Sequence, residues 1–317
     1  MRHGIVILPQ EDWPAAARRW RGAEAYGFDH AWSYDHLSWR SLADQRWHAT
    51  VPAMTAAAVM TERIGLGFFV ASPNFRHPVP FAKELATLDD ISGGRLLVGV
   101  GSGGTGFDAF VLGQPELSAR ERHARFIEFA DALDVLLRFE QPGSGGISFS
   151  GQWYTAHDAR MVGTPTRAPR MPLLIAGNGP QTIRYAATRG EGWVTTGPDA
   201  ADREEWWSGV AKLAARFEEE HRASGRQDGV ARVLSLDNES FYSLQSAAAF
   251  EDSVARAETL GFTDVVAHWP RKNGLYAGDE SVLDQVAASF EPASFEPAAS
   301  DPAAFEPAAS EPAASEG

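Results

Sequence analysis

An acid and an imidazole stand side by side where a predicted strand ends. Asp35 and His36 follow the apolar run Phe28–Trp32 and begin a polar loop. An imidazole exchanges a proton near neutral pH, and a neighbouring carboxylate can orient the ring and raise its pKa. The same two residues are also compatible with an ordinary Asp-His surface turn. The pair therefore identifies a candidate acid–base site without proving one.

A second stretch has the composition of an anion-binding turn. It comprises Gly177, Asn178, Gly179, Pro180 and Gln181, which follow an apolar strand and open a helix that ends at Gly190. Glycines let backbone N–H groups approach an oxyanion, and a helix N-terminus contributes roughly half a positive charge. Thr195 and Thr196, at the end of the next strand, would supply further donors. The alternative is an ordinary strand-to-helix turn.

The glycine-rich segment Gly99–Gly104 is superficially similar to a dinucleotide fingerprint. That interpretation requires the first strand–helix unit and a helix directly after the loop. Here the segment ends the fourth strand, and no helical pattern follows it. We therefore expect Gly101 and Ser102 to bring the backbone close to the edge of a bound cofactor.

Other chemistries are disfavoured by residue type. The chain has no cysteine, and its nine histidines show no metal-binding spacing, so we expect no metal site. Three lysines lie on helices or a late loop, which disfavours a Schiff-base aldolase. The net charge is −14, which argues against nucleic-acid binding. No apolar run approaches the ~20 residues of a membrane span and no signal peptide is evident, so we expect a soluble cytoplasmic protein.

Strands and helices alternate along most of the chain. Eight strand-like runs are predicted, at Gly4–Pro9, His30–Ser33, Ile64–Ala71, Leu96–Val100, Leu173–Ala176, Trp193–Thr196, Val233–Leu236 and Val265–His268. Such an alternating series favours a closed (β/α)8 barrel over an open doubly wound sheet. Helix signals include a cap at Asp12, a start at Pro80 and a capping box at Ser118.

Two regions depart from the alternation. Thr105–Met171 is too long for one connection; we expect one helix and a hairpin around Ile147–Tyr154, and substrate walls or a lid. The last residues repeat an acid-Pro-Ala pattern every five positions, which is typical of a disordered acidic tail. The predicted division is a barrel domain at residues 1–288 and a tail at 289–317.

The ordered set of motifs resembles the luciferase-like monooxygenase family of flavin- and deazaflavin-dependent oxidoreductases. The resemblance runs from Gly4 to Trp269 and rests on Ala25–Asp29 before Asp35–His36, Ile64–Gly67, Arg76–Pro78, Leu88–Arg95, Gly99–Gly103 and Ile175–Pro180. It implies a TIM barrel that binds FMN or the deazaflavin F420 at the carboxyl ends of the strands, with the choice open. It also implies a small-molecule substrate, a homodimer paired through barrel helices and, with FMN only, a flavin reductase partner.

The same resemblance implies roles for individual residues. His36 would handle a proton beside the reactive ring, Asp35 would anchor or polarise His36, and Trp39 would stack on an intermediate. The Phe69–Val70 bond would be a non-prolyl cis peptide behind the ring. Two departures bear on the substrate: Gly104 stands where sugar dehydrogenases of the family place a catalytic glutamate, and Pro198 where they place a lysine.

The leading hypothesis is accordingly an oxidoreductase or monooxygenase that uses reduced FMN or F420. With FMN the reduced ring would react with O2; with F420 it would pass a hydride while His36 manages the proton. The alternatives are a flavin-binding homologue without turnover and a barrel with no ligand.

Overall fold

Eight parallel strands close into a barrel, as the sequence predicts. The computed structural model describes residues 1–104, 106–138, 145–163, 166–238 and 241–290. Along the chain the barrel strands are β1 (Arg2–Val6), β2 (His30–Ser33), β3 (Gly65–Ala71), β4 (Leu96–Gly101), β7 (Leu173–Ala176), β8 (Gly192–Thr195), β9 (Ala231–Ser235) and β10 (Asp264–His268). Each pairs with its sequence neighbours in the barrel, and β10 pairs with β1 to close it.

Alternate residues along each strand supply two apolar layers. Ile5 and Val265 belong to the layer between strands and helices, whereas Val6 and Val266 belong to the cluster inside the barrel. This division follows from the two-residue period of a strand, which points successive side chains to opposite faces. Both faces of the sheet are covered, so the strands read as nearly continuous apolar runs.

Helices surround the barrel. They are α1 (Trp13–Ala25), α2 (Thr50–Met60), α3 (Pro78–Ser92), α4 (Phe107–Val111), α5 (Ala119–Leu137), α6 (Pro180–Arg189), α7 (Arg203–Ser224), α8 (Ala247–Thr259) and α9 (Val282–Ala287). The predicted cap at Asp12 and the capping box at Ser118 are both present. In the described parts of the chain, no helix combines the length and the apolar character required to cross a bilayer.

Several predicted boundaries shift. β1 starts at Arg2 and ends at Val6. α3 starts at Pro78, because His77 caps this helix by accepting the Val79 N–H. A short helix, α4, follows the glycine-rich segment where no helical pattern was predicted.

The predicted hairpin is present and sits on α5. It consists of β5 (Ile147–Ser150) and antiparallel β6 (Thr155–Ala159). The folded body extends to Phe290, whose ring stacks on His3 at 4.4 Å and meets Phe28 edge-on at 5.1 Å. Phe290 therefore belongs to the barrel, and not to the predicted tail. The remainder of that tail, residues 291–317, lies outside the described residues.

Candidate active site

A cavity opens at the carboxyl ends of the barrel strands. Its volume is about 580 Å³, within the usual range for small-molecule sites. Its walls come from the ends of β2, β3, β4, β7, β8 and β9 and from the loop after β10; they include His36, Trp39, Phe69, Val70, Gly101, Ser102, Gly177, Asn178 and Thr196. Most of the predicted site residues thus converge on one space.

His36 is paired with an acid 72 positions further along the chain, Asp108. Nδ1 of His36 lies 2.6 Å from Oδ2 of Asp108, and Oδ1 of the same carboxylate accepts the Leu37 N–H at 2.7 Å. Asp108 is 1% exposed and sits on α4. A carboxylate accepts the Nδ1 proton, so the neutral ring presents an unprotonated Nε2. His36 is therefore oriented as a base that lines the cavity.

The carboxylate that bonds to the His36 ring is that of Asp108, and not that of the neighbouring Asp35. The buried carboxylate of Asp35 is held by Arg76, with Nη2–Oδ1 at 2.7 Å and Nε–Oδ2 at 3.0 Å. Arg76 also pairs with Glu84. Burial would lower the pKa of Arg76, but the hydrogen bond and charge of Asp35 outweigh it and raise that pKa. Such a two-pronged ion pair fixes the backbone just before His36.

Aromatic rings surround the imidazole. The Trp39 ring lies 4.5 Å from the His36 ring, and the Trp47 indole donates to the His36 carbonyl at 2.9 Å. Trp39 is half-buried and lines the cavity, where it can contact a ligand. These contacts hold His36 between a fixed carboxylate and a flat apolar wall.

A buried hydrogen-bonded relay crosses the barrel interior, and the sequence analysis missed it. The Tyr34 hydroxyl lies 2.8 Å from Nε2 of His268, and Nδ1 of His268 lies 3.0 Å from Oδ2 of Asp237. Burial raises the pKa of Tyr34 to about 12. Tyr34 therefore keeps its proton and donates to His268, which donates in turn to Asp237. Tyr34 and Asp237 both line the cavity. The signal in the sequence was that Asp237 and His268 lie at the carboxyl ends of predicted strands.

The end of β3 behaves as predicted. The Phe69–Val70 peptide bond is cis, and both residues line the cavity. On the neighbouring strand, Gly101 and Ser102 line the same wall. The backbone of β3 and β4 thus forms one side of the space.

Side-chain hydrogen bonds of Asn178 hold the predicted anion-binding turn. Oδ1 of Asn178 accepts the Thr195 hydroxyl at 2.6 Å, and its Nδ2 donates to the Gly197 carbonyl at 2.7 Å. Gly197 has a φ of +70°, which favours glycine. The Thr195 side chain is buried and does not line the cavity, unlike the neighbouring Thr196. Its role is to hold Asn178, while Thr196 stays exposed at the cavity wall.

Gly179, Pro180 and Gln181 lie at the rim. Gly179 precedes α6, Pro180 is its first residue, and all three are exposed. Gly177 and Asn178 join this rim to the cavity wall. The N–H groups of the first turn of α6 can donate hydrogen bonds to an anionic group that extends out of the cavity.

The segment after β4 supplies a site residue instead of the substrate walls that the sequence predicts. Among the described residues from Gly106 to Met171, none lines the cavity. Asp108 on α4 nevertheless reaches His36. The remaining walls come from Arg40 and from the loops after β8, β9 and β10.

Across the described residues, no three His, Asp or Glu side chains are grouped so that they could hold a metal ion.

Comparison with known proteins shows the family of this chain. The model of the luciferase-like monooxygenase family matches residues 1–236. An F420-dependent glucose-6-phosphate dehydrogenase of Beutenbergia cavernae is 37% identical over 176 residues, which cover 55% of this chain and 50% of that protein. One of the same name from Amycolatopsis mediterranei is 28% identical over 293 residues, covering 85% of this chain and 82% of that one.

Solved structures share the fold. The solved structure of an F420-dependent secondary alcohol dehydrogenase in complex with an F420–acetone adduct has a TM-score of 0.75 at 17% identity, covering 92% of this chain and 98% of that one. The alignments span about half the length of the first curated relatives. From the family match and the closed barrel, the chain belongs to the luciferase-like monooxygenase family.

Proposed function

We propose that this protein is an F420-dependent oxidoreductase that exchanges a hydride with a small hydroxyl or carbonyl compound. The observation that carries the proposal is the His36–Asp108 pair at the wall of the cavity. The named relatives support F420 over FMN, since they include F420-dependent dehydrogenases. F420, when bound, supplies a ring that accepts or donates a hydride.

The residues around the cavity fit such a group. The volume suits a flat tricyclic ring, and its walls combine the Phe69–Val70 backbone with glycines of β4. The anionic arm of the cofactor would leave past Asn178 toward the first turn of α6 at Gly179. Backbone N–H groups at that turn would balance the negative charge of the arm. Pro180 fixes the start of the helix.

His36 would move the proton that accompanies hydride transfer. In the direction of alcohol oxidation, Nε2 takes the hydroxyl proton, and Asp108 stabilises the imidazolium that results. In the direction of carbonyl reduction, the same nitrogen returns the proton. Trp39 excludes water from one side of the ring and orients the substrate.

The substrate we propose is uncharged. Arg40 is the single Lys or Arg side chain in the described lining of the cavity, which also contains Asp199 and Asp237. A sugar phosphate would compete with the cofactor's own phosphate for very little positive charge. The absence of glutamate at Gly104 and of lysine at Pro198 points the same way.

Turnover assays with purified protein test this proposal. F420 would be incubated with a panel of small primary and secondary alcohols, and with glucose 6-phosphate, while the loss of its visible absorbance is followed. We expect reduction with at least one uncharged alcohol and much slower reduction with glucose 6-phosphate. Faster reduction with glucose 6-phosphate would contradict the substrate class. Tight F420 binding without turnover on any substrate would favour the non-catalytic homologue.

A further inference from the structure

A second cavity, of about 350 Å³, lies outside the site described above. Its lining includes Arg76, His77, Gln114, Arg125, Trp153 and Tyr154. These residues come from the loop after β3, the loop between α4 and α5, α5 itself and the hairpin. The described lining contains two arginines and a histidine and no Asp or Glu. This is the charge balance of an anion site.

Among the described residues, the charge of Arg125 has no acidic partner within salt-bridge distance. The side chain is 7% exposed, and its guanidinium donates only to neutral amide oxygens, those of Gln114 and Asn74. Its Nε is buried and forms no hydrogen bond with any described residue. Burial and the nearby charge of Arg122 lower the pKa of Arg125. A buried cation without an anion is costly, so a missing counter-charge is expected here. Arg76, by contrast, already has Asp35 and Glu84.

Two more donors in the same lining lack acceptors. The Tyr154 hydroxyl and the Trp153 indole N–H are buried, and neither has a hydrogen-bond partner among the described residues. Glu128 accepts the backbone N–H groups of Gln152, Trp153 and Tyr154 and does not line the cavity. Buried polar groups are nearly always paired in folded proteins. Three unpaired donors in one lining indicate a ligand that accepts hydrogen bonds and donates none.

We infer that this cavity binds a small oxyanion, with Arg125, Tyr154 and Trp153 as its donors. The side of a guanidinium that carries Nε offers the two-pronged geometry that phosphate and carboxylate groups prefer. The site is separate from the main cavity, since the two share no lining residue. Side chains in or beside this site nevertheless stabilise the walls of the main cavity. Asn74 donates to the Gly103 carbonyl, and Arg76 holds Asp35.

Isothermal titration with inorganic phosphate, at constant ionic strength set with chloride, tests the inference. The constant ionic strength removes general screening. Four proteins are compared: wild type, Arg125→Gln, Tyr154→Phe and the control Arg120→Gln, which alters an exposed arginine of the same helix. Because the Tyr154 hydroxyl has no hydrogen-bond partner in the described part of the chain, Tyr154→Phe should fold with an unchanged melting temperature even if Arg125→Gln does not.

We expect saturable binding by wild type and Arg120→Gln, roughly five-fold weaker binding by Tyr154→Phe and at least ~10-fold weaker binding by Arg125→Gln. Phosphate bound at the cofactor turn would be equal in all four proteins, so the differences report this cavity alone. Equal isotherms for wild type and Tyr154→Phe would overturn the inference. So would an absence of phosphate binding with a melting temperature that rises with protein concentration, because a second copy of the chain would then cover the cavity.

Discussion

At the scale of single residues, the account depends on how His36 is held. Replacing His36 with Ala should lower kcat by ~10²–10⁴ while the affinity for F420 changes little. Asp108→Asn keeps the size of the side chain but removes the charge that fixes the Nδ1 proton, and it should lower kcat by on the order of 10². Steady-state kinetics and F420 titration of both variants measure these effects.

Asp35→Asn provides the matched comparison for Asp108→Asn. Both substitutions neutralise one buried carboxylate, but Asp35 contacts Arg76 and not the imidazole. Asp35→Asn should therefore lower the melting temperature and leave the dependence of kcat on pH nearly unchanged. If Asp35→Asn shifts the pH profile and Asp108→Asn does not, the acid that serves His36 has been misassigned.

The relay from Tyr34 through His268 to Asp237 leads to a second prediction at this scale. Tyr34→Phe removes the hydroxyl that donates to His268 and should lower kcat by roughly ten-fold, with a smaller solvent isotope effect on the remaining turnover. Tyr242→Phe is the control, because that hydroxyl donates only to the His268 carbonyl and does not line the cavity. Equal kinetics for Tyr34→Phe and wild type would remove the relay from the mechanism.

At the scale of elements, one carboxylate joins the strands where the barrel closes. Asp264 on β10 lies 2.9 Å from Nε2 of His30 on β2 and 2.9 Å from Nε of Arg2 on β1. The Trp32 indole donates to Nδ1 of His30, so Nε2 carries the proton that Asp264 accepts. Burial alone would raise the pKa of Asp264, but these partners lower it from 3.8 to about 2.

A lowered carboxyl pKa makes a stability prediction with a defined sign. The ionised form is favoured by folding, so this stabilisation is present above pH 3.8 and is lost as the pH falls to about 2. Asp264→Asn should lower the free energy of unfolding by about 2 kcal/mol at neutral pH. Urea titrations of both proteins at several pH values measure it. A difference that persists unchanged at pH 2 would contradict the assignment.

The elements were more predictable than the contacts between them. Local apolar patterns and caps indicated all eight strands and the hairpin, because those signals lie within a few residues. The Asp108–His36 pair joins residues 72 positions apart and depends on α4, a five-residue helix without a readable pattern. Thr195 shows the same limit. Its place at a strand end was predicted. Packing decides that its hydroxyl faces Asn178 and not the cavity, and no local pattern indicates that.

At the scale of the whole molecule, the boundary between body and tail is testable. Deleting residues 291–317 should leave the melting temperature and kcat unchanged if the acidic repeat is disordered, as its composition predicts. Deleting residues 290–317 also removes Phe290 from its contacts with His3 and Phe28. That deletion should cost about 1–2 kcal/mol of unfolding free energy, as measured by thermal unfolding. A large loss from the shorter deletion would show that the repeat packs on the body.

The central claim is that F420 binds in the cavity at the carboxyl ends of the strands. Titration of the purified protein with F420, and separately with FMN, tests it most directly through changes in absorbance. The account predicts saturable one-to-one binding of F420 at micromolar concentration, weaker binding of FMN, and an unchanged F420 affinity for His36→Ala. An absence of F420 binding, or F420 binding that bulky substitutions at Gly101 leave unaffected, would contradict it.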